Sequence, residues 1–222
     1  DEAAYKTFAD SGLGKEMFRK IGEKGVIGLA YWDNGFYIYA TKKPVKVPAN
    51  FKGMKLRIQG SKVLDAQTRA LGAVPQVMAF SEVYQALQTG VVDGLENVPS
   101  NIYTQKFYEV APYITISNHG HLGYAVVTNK AFWDGLPGDI RGQLEKAMAE
   151  ATISFNATAK KDNDDALVEI KKTGKATIYN LTEAERNEWV KTLVPVHEDM
   201  KKRVGPGVVE AVQKAAGFNP GS

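Results

Sequence analysis

Apolar residues along the chain recur with two periods, and their alternation lays out the secondary structure. From residue 3 to 24, Ala4, Phe8, Met17, Phe18 and Ile21 fall near one helical face, and Gly25 can end that helix. Val26 to Trp32 is a continuous apolar run of strand length, followed by the turn signal Asp33-Asn34-Gly35. Phe36 to Thr41 predicts a second extended run, and Pro44 and Pro48 mark a loop. Lys55 to Gln59 alternates, with Leu56 and Ile58 on one face and Arg57 on the other. Ser61 can cap a helix that runs to Leu71 and stops at Gly72. Val77 to Phe80 predicts a strand, and Ser81 a helix that Gly90 ends. Val91 to Glu96 predicts another strand before a helix started by Pro99.

Farther along, Tyr113 to Ser117 and Leu122 to Thr128 predict strands. The segment from Pro137 to about Thr173 has no glycine after Gly142, no proline after Pro137, and a helix-favouring composition. A helix of that length spans on the order of 50 Å, which exceeds the width of a small lobe, so it is expected to bridge two. Thr182-Glu183-Ala184-Glu185 is a capping box opening a helix through about Lys201, and a last helix covers roughly Val208 to Ala215. Strands alternating with helices predict an α/β fold with a largely parallel sheet. The chain opens on Asp1-Glu2-Ala3-Ala4, without the basic start and apolar core of a leader, and begins with a helix that no strand precedes. An α/β lobe that starts this way looks truncated; the alternative on pattern alone is a plain N-terminal helix.

Composition narrows the function. Apolar residues make up 44% of 222, enough for a packed core rather than a disordered chain. The apolar run Val26 to Trp32 is far too short to cross a bilayer. The net charge of +3 comes as scattered pairs such as Lys160-Lys161 and Lys171-Lys172, so no basic stripe is available for nucleic acid. With no cysteine there is no disulfide, thiol nucleophile or thiolate metal site. Phosphate-loop, nucleophile-elbow and H-E-x-x-H patterns are all absent.

A few residues stand out chemically. Arg57 lies mid-strand with Lys55 and Gln59 on its face, ahead of a Ser-capped helix, where α/β folds bind ligands. Its planar fork suits a carboxylate, although an arginine in such a place is as readily a surface ion pair. Asn97 ends a short strand and offers both a donor and an acceptor; the alternative is a turn or capping residue. Trp32, Phe36, Tyr37 and Phe80 are aromatics near strand ends that can wall a pocket or fill a core. His119 and His121, two apart on an extended segment, face the same way. Hydrogen-bonded histidines are the expected reading, with a shared metal as the alternative, for which no third ligand is visible.

An ordered series of words then joins up. It runs through Gly53-Met54-Lys55-Leu56-Arg57, Met78 to Gly90, Val92-Asp93-Gly94-Leu95-Glu96-Asn97, Gln105 to Val110, and Ser117-Asn118-His119-Gly120. The series closely resembles the extracytoplasmic solute-binding proteins of TRAP (tripartite ATP-independent periplasmic) transporters. Trp32-Asp33-Asn34-Gly35-Phe36 and Leu122-Gly123-Tyr124 look like its C4-dicarboxylate branch. The resemblance implies two α/β lobes around a cleft, joined by crossing strands and a long helix. It implies a periplasmic binder, not an enzyme, that needs no cofactor or metal and hands a small organic acid to membrane permease subunits. Arg57 matches the arginine that clamps the substrate carboxylate, Asn97 the asparagine that hydrogen-bonds it, and Phe80 an aromatic of the pocket wall. At Tyr37 many members carry a second basic residue, and at His121 the dicarboxylate pattern usually has tyrosine. A histidine there can supply pH-dependent positive charge, and a monocarboxylate, hydroxy acid or aromatic acid becomes a candidate ligand.

The expected organisation is a partial first lobe from residues 1–34 and 123–162, and a second lobe from 35–122 and 163–222. If the first lobe lacks its opening strands, bared ladder edges predict marginal stability, association with a partner or itself, or a chain that is the ordered remainder of a longer polypeptide. Two other readings compete with transport: a ligand-sensing domain, and an enzyme on a two-lobed scaffold.

Overall fold

The structure is a computed structural model, and it describes residues 2–219. In chain order the elements are α1 (Glu2–Asp10), α2 (Gly12–Gly22), β1 (Val26–Phe36), β2 (Ile38–Thr41), β3 (Lys55–Ile58), α3 (Lys62–Ala70), β4 (Val74–Val77), α4 (Val83–Thr89) and β5 (Gly94–Asn97). There follow α5 (Pro99–Thr104), β6 (Tyr113–Ile116), β7 (His121–Asn129), α6 (Lys130–Asp134), α7 (Gly138–Lys172), β8 (Thr177–Asn180), α8 (Glu183–Val204) and α9 (Pro206–Ala215). Two compact units result, one from residues 2–35, 122–161 and 206–219, the other from 36–121 and 162–205. The C-terminal helix was expected in the second unit. It groups with the first because α9 packs on α1. The 35-residue α7 passes from one unit into the other at residue 161.

In the first unit, β1 and β7 form a two-stranded sheet. A single helix over 3–24 is not formed. Ser11 ends α1 and caps α2 by accepting from the Gly14 backbone N–H. The chain turns so tightly there that a Cβ on Gly14 would lie 2.5 Å from the Ala9 carbonyl oxygen. The turn signal Asp33-Asn34-Gly35 also fails, since β1 runs through it to Phe36. Tertiary partners hold the segment extended: Asp33 N–H donates to Asn156 Oδ1, and Asn34 Nδ2 to the Tyr124 hydroxyl.

The second unit carries a six-stranded sheet in the order β4-β3-β5-β2-β6-β8. Strand β2 runs against β5 and β6, and the remaining pairs are parallel. Strand β8 was not foreseen, and it extends the sheet parallel to β6. Two strands are shifted from their expected places. Strand β4 begins at Val74, where pairing with Lys55 starts, and ends at Val77 rather than Phe80. Strand β5 begins at Gly94, because the amides of Val91 and Val92 close the end of α4 on the Ala86 carbonyl. Nor does Ser81 cap α4: the Glu82 carboxylate accepts from the Ala79 N–H instead, in a single 3-10 turn.

Both faces of this sheet are covered. Ile38, Ala40, Leu95 and Ile114 pack against Val83 and Leu87 of α4, Ile102 of α5 and Ile170 of α7. Tyr39 and Leu56 on the other face meet Phe51, Leu71 and Trp189 of α8. Burying side chains of this size contributes roughly 1.5–3 kcal/mol each. The register requires glycine at 94. A Cβ there would lie 2.8 Å from the Ala40 carbonyl oxygen and 2.6 Å from Thr41 Cγ2 on the paired strand. Since a ladder carbonyl cannot give way cheaply, Gly94→Ala is expected to lower stability by about 1–3 kcal/mol. An unchanged urea midpoint would contradict this packing.

The strand directions gather one set of ends. The carboxyl ends of β3, β5 and β6 share an edge with the start of β2, because Arg57 pairs with Leu95 and Ile38 with Asn97. That edge, just beyond strand carboxyl ends, is where an α/β sheet leaves backbone and side chains free to meet a ligand.

Candidate functional site

Arg57 is the centre of this edge. It is only 2% exposed, so the surface ion pair considered from sequence does not exist. Strand alternation sends Leu56 and Ile58 to the core and Arg57 to the opposite face. The loop after β4 wraps over it. Nε and Nη2 donate to the Met78 carbonyl at 3.2 and 3.0 Å, and the Phe80 ring centre lies 5.7 Å from the guanidinium carbon. Nη1 is buried and has no hydrogen-bond partner among the described residues. Burial pulls the guanidinium below its ordinary value, opposed by the charges of Glu96 and Tyr37, yet an arginine stays cationic. A buried cation with an open N–H group favours an anion with lone pairs to fill it.

Phe80 is 37% exposed and held upright by the edge of Phe107, at 5.6 Å and 89°. It presents one open apolar face beside the guanidinium. Asn97 closes β5 at 1% exposure, on the same sheet face as Arg57 and two residues beyond its paired Leu95. Tyr37 lies between β1 and β2. Its hydroxyl donates to Gln59 Oε1 at 3.3 Å, and its N–H donates to the Gly120 carbonyl. Arg57, Phe80, Asn97 and Tyr37 thus share one edge. The structure gives His121 and Trp32 other neighbours. His121 meets the Phe36 ring edge-on at 4.9 Å. Trp32 belongs to the first unit, stacked on Phe155 at 4.6 Å and donating Nε1–H to Thr152 Oγ1.

A second polar set joins His119 to Glu96 and Ser117, two residues that the sequence did not single out. His119 Nε2 lies 2.8 Å from Glu96 Oε2, and its Nδ1 is 2.8 Å from Ser117 Oγ. The His119 and Glu96 side chains are almost fully buried, and Glu96 Oε1 has no partner at hydrogen-bond distance among the described residues. The imidazole stacks on Tyr39 at 4.4 Å, with Tyr37 and Trp189 around it. Burial, helped by the Glu96 charge, pushes the Tyr39 phenol well above its ordinary value. The hydrogen-bonded reading of His119 is therefore the structural one. The metal alternative has no cluster of three ligating side chains among the described residues. The clue was the alternation Leu95-Glu96-Asn97, which sends an acid to the face opposite Asn97.

With this geometry in hand, comparison with known proteins is decisive. The family described as bacterial extracellular solute-binding protein, family 7, matches residues 1–203. The chain belongs to that family. The C4-dicarboxylate-binding periplasmic protein DctP of Rhodobacter capsulatus is 56% identical over 214 residues, covering 96% of this chain. The chain spans 64% of that relative's length. A crystal structure of a TRAP periplasmic solute-binding protein from Shewanella oneidensis, with bound succinate, matches with a TM-score of 0.95 at 39% identity. That match covers 97% of this chain and 70% of the other. A TRAP periplasmic solute-binding protein from Pseudomonas aeruginosa, with bound L-malate, matches at 35% identity and a TM-score of 0.87, over 90% and 69% of the two chains.

This family 7 chain also holds a cavity of about 860 Å³ within its first unit, lined by Tyr5, Phe18, Tyr31, Met148 and Ile153 among others. It contains none of the residues at the sheet edge. Its walls are mainly apolar, and the lysines on it, Lys6 among them, include one already paired to Asp10.

Proposed function

We propose that this chain forms the ligand-capturing part of a periplasmic solute-binding protein for a small organic acid. One carboxylate of the acid meets Arg57 Nη1, the Asn97 amide donates to it, and Phe80 covers its carbon skeleton. The captured acid passes to the membrane permease of a TRAP transporter, and no chemistry is done on it. The observation that carries this reading is the buried arginine whose Nη1 has no hydrogen-bond partner and which forms no salt bridge among the described residues. An unpaired buried charge is costly, so an anionic guest is the natural complement. Succinate and L-malate in the matched structures, and the dicarboxylate name of the relative, support the same class. Tyr37 and His121 are proposed to set which acid is preferred.

The test is calorimetric titration of the full-length protein with succinate, L-malate and the neutral succinamide. At least one acid is expected to bind, with succinamide weaker by roughly a hundredfold, since a charge pair in a desolvated site contributes about 2–5 kcal/mol. Equal affinity for succinamide, or no binding of any acid, would overturn the assignment.

A further inference from the structure

The asparagine at the sheet edge is useful to an anion only if its NH2 group, not its oxygen, faces the guest. Two donors settle the matter. Asn97 Oδ1 accepts from the Val98 backbone N–H at 2.9 Å and from Asn101 Nδ2 at 2.8 Å. Asn97 Nδ2 has no acceptor among the described residues, on the same sheet face as the open Nη1 of Arg57. Turning the amide over would set its NH2 against the Val98 N–H, which cannot reverse its role. Asn101 adds the second donor, and it is itself placed by helical bonds: Gln105 N–H donates to its carbonyl, and the start of α5 is pinned where Ser100 N–H donates to Asn163 Oδ1 of α7.

We infer that Asn101 is a positioning residue for anion recognition: its amide locks Asn97 with the donor end toward the carboxylate. This rests on the carboxylate reading of the Arg57 site. The side chain spacing suits the task, because Asn101 lies in the first turn of α5, four positions after Asn97, and so reaches back to the strand end. Without it, one donor remains on Oδ1, and the reversed amide, which presents a lone pair to the anion, becomes accessible.

The experiment is a double-mutant cycle on the full-length protein with succinate as the probe. Asn101→Leu should weaken succinate binding about threefold to tenfold, the share of one hydrogen bond. In an Asn97→Leu background the same change should alter affinity by less than about twofold, because the residue acts only through Asn97. Asn101→Ala, which perturbs α5 less, repeats the cycle should the leucine variant fold poorly. Wild-type affinity in both Asn101 variants, or an equal loss in both backgrounds, overturns the inference. Arg57→Lys separates the two failures. Lost binding there with intact binding in the Asn101 variants sinks the inference alone, whereas a wild-type protein that binds no acid sinks the carboxylate reading and this inference together.

Discussion

Arg57→Met is expected to weaken organic-acid binding by roughly a hundredfold or more while leaving the protein folded. Removing one member of a buried charge pair costs about 2–5 kcal/mol of binding. Much of that is the cost of leaving the ligand carboxylate desolvated without its counter-charge. In the unliganded chain the balance is different. Among the described residues the guanidinium, 2% exposed, is hydrogen-bonded only to the Met78 carbonyl, and its Nη1 has no hydrogen-bond partner. It therefore stabilises the empty protein little, and methionine, similar in length and apolar, fits against Phe80. The thermal midpoint of Arg57→Met should match or exceed that of wild type. Arg57→Lys sharpens the point, because it keeps the charge but loses the planar fork that holds Met78 and offers Nη1 at once. Its affinity should fall at least about tenfold. Calorimetry showing wild-type affinity for Arg57→Lys would remove Arg57 from the site, and a large drop in the midpoint of Arg57→Met would make it a structural residue.

His119→Leu should produce the reverse pattern, a protein that is strongly destabilised. Glu96 lies buried behind the sheet edge with one oxygen on His119 and the other without a partner at hydrogen-bond distance among the described residues. Whichever of the two groups carries the bridging proton, the imidazole bonds that carboxyl group at 2.8 Å, and the Tyr39 phenol on the paired strand is its other polar neighbour. Breaking such a buried pair from one side costs about 3–5 kcal/mol, a large part of the stability of an ordinary domain. The lost stacking on Tyr39 adds to this. Urea denaturation measures it directly. Glu96→Gln should be milder, because a neutral amide still bonds the ring and carries no charge into the core. If His119→Leu unfolds within about 1 kcal/mol of wild type, the pair is not holding the segment from Ser117 to Gly120 on the sheet.

The amino-acid sequence by itself determined a good deal of this. Leu56, Arg57 and Ile58 alternate, so the arginine had to take the face opposite Leu56 and Ile58 wherever the strand lay. The capping box at Thr182 and the uninterrupted run through α7 are local patterns, satisfied within a few residues of chain, and α8 and α7 follow them. The order of the words from Gly53 to Gly120 marked the family. Local signals misled wherever distant groups made a competing offer. Asp33-Asn34-Gly35 reads as a turn until Asn156 and Tyr124 supply bonds that keep it extended. Only the tertiary structure decided that Arg57 is buried rather than paired at the surface, because its partner, the Met78 carbonyl, is a backbone group with no side-chain signature. Only it joined Glu96 to His119 across 23 positions. Periodicity reports which face a residue takes, but the cost of burying a polar atom depends on what stands within 3 Å of it, and that is set by the packing of segments far apart in the chain.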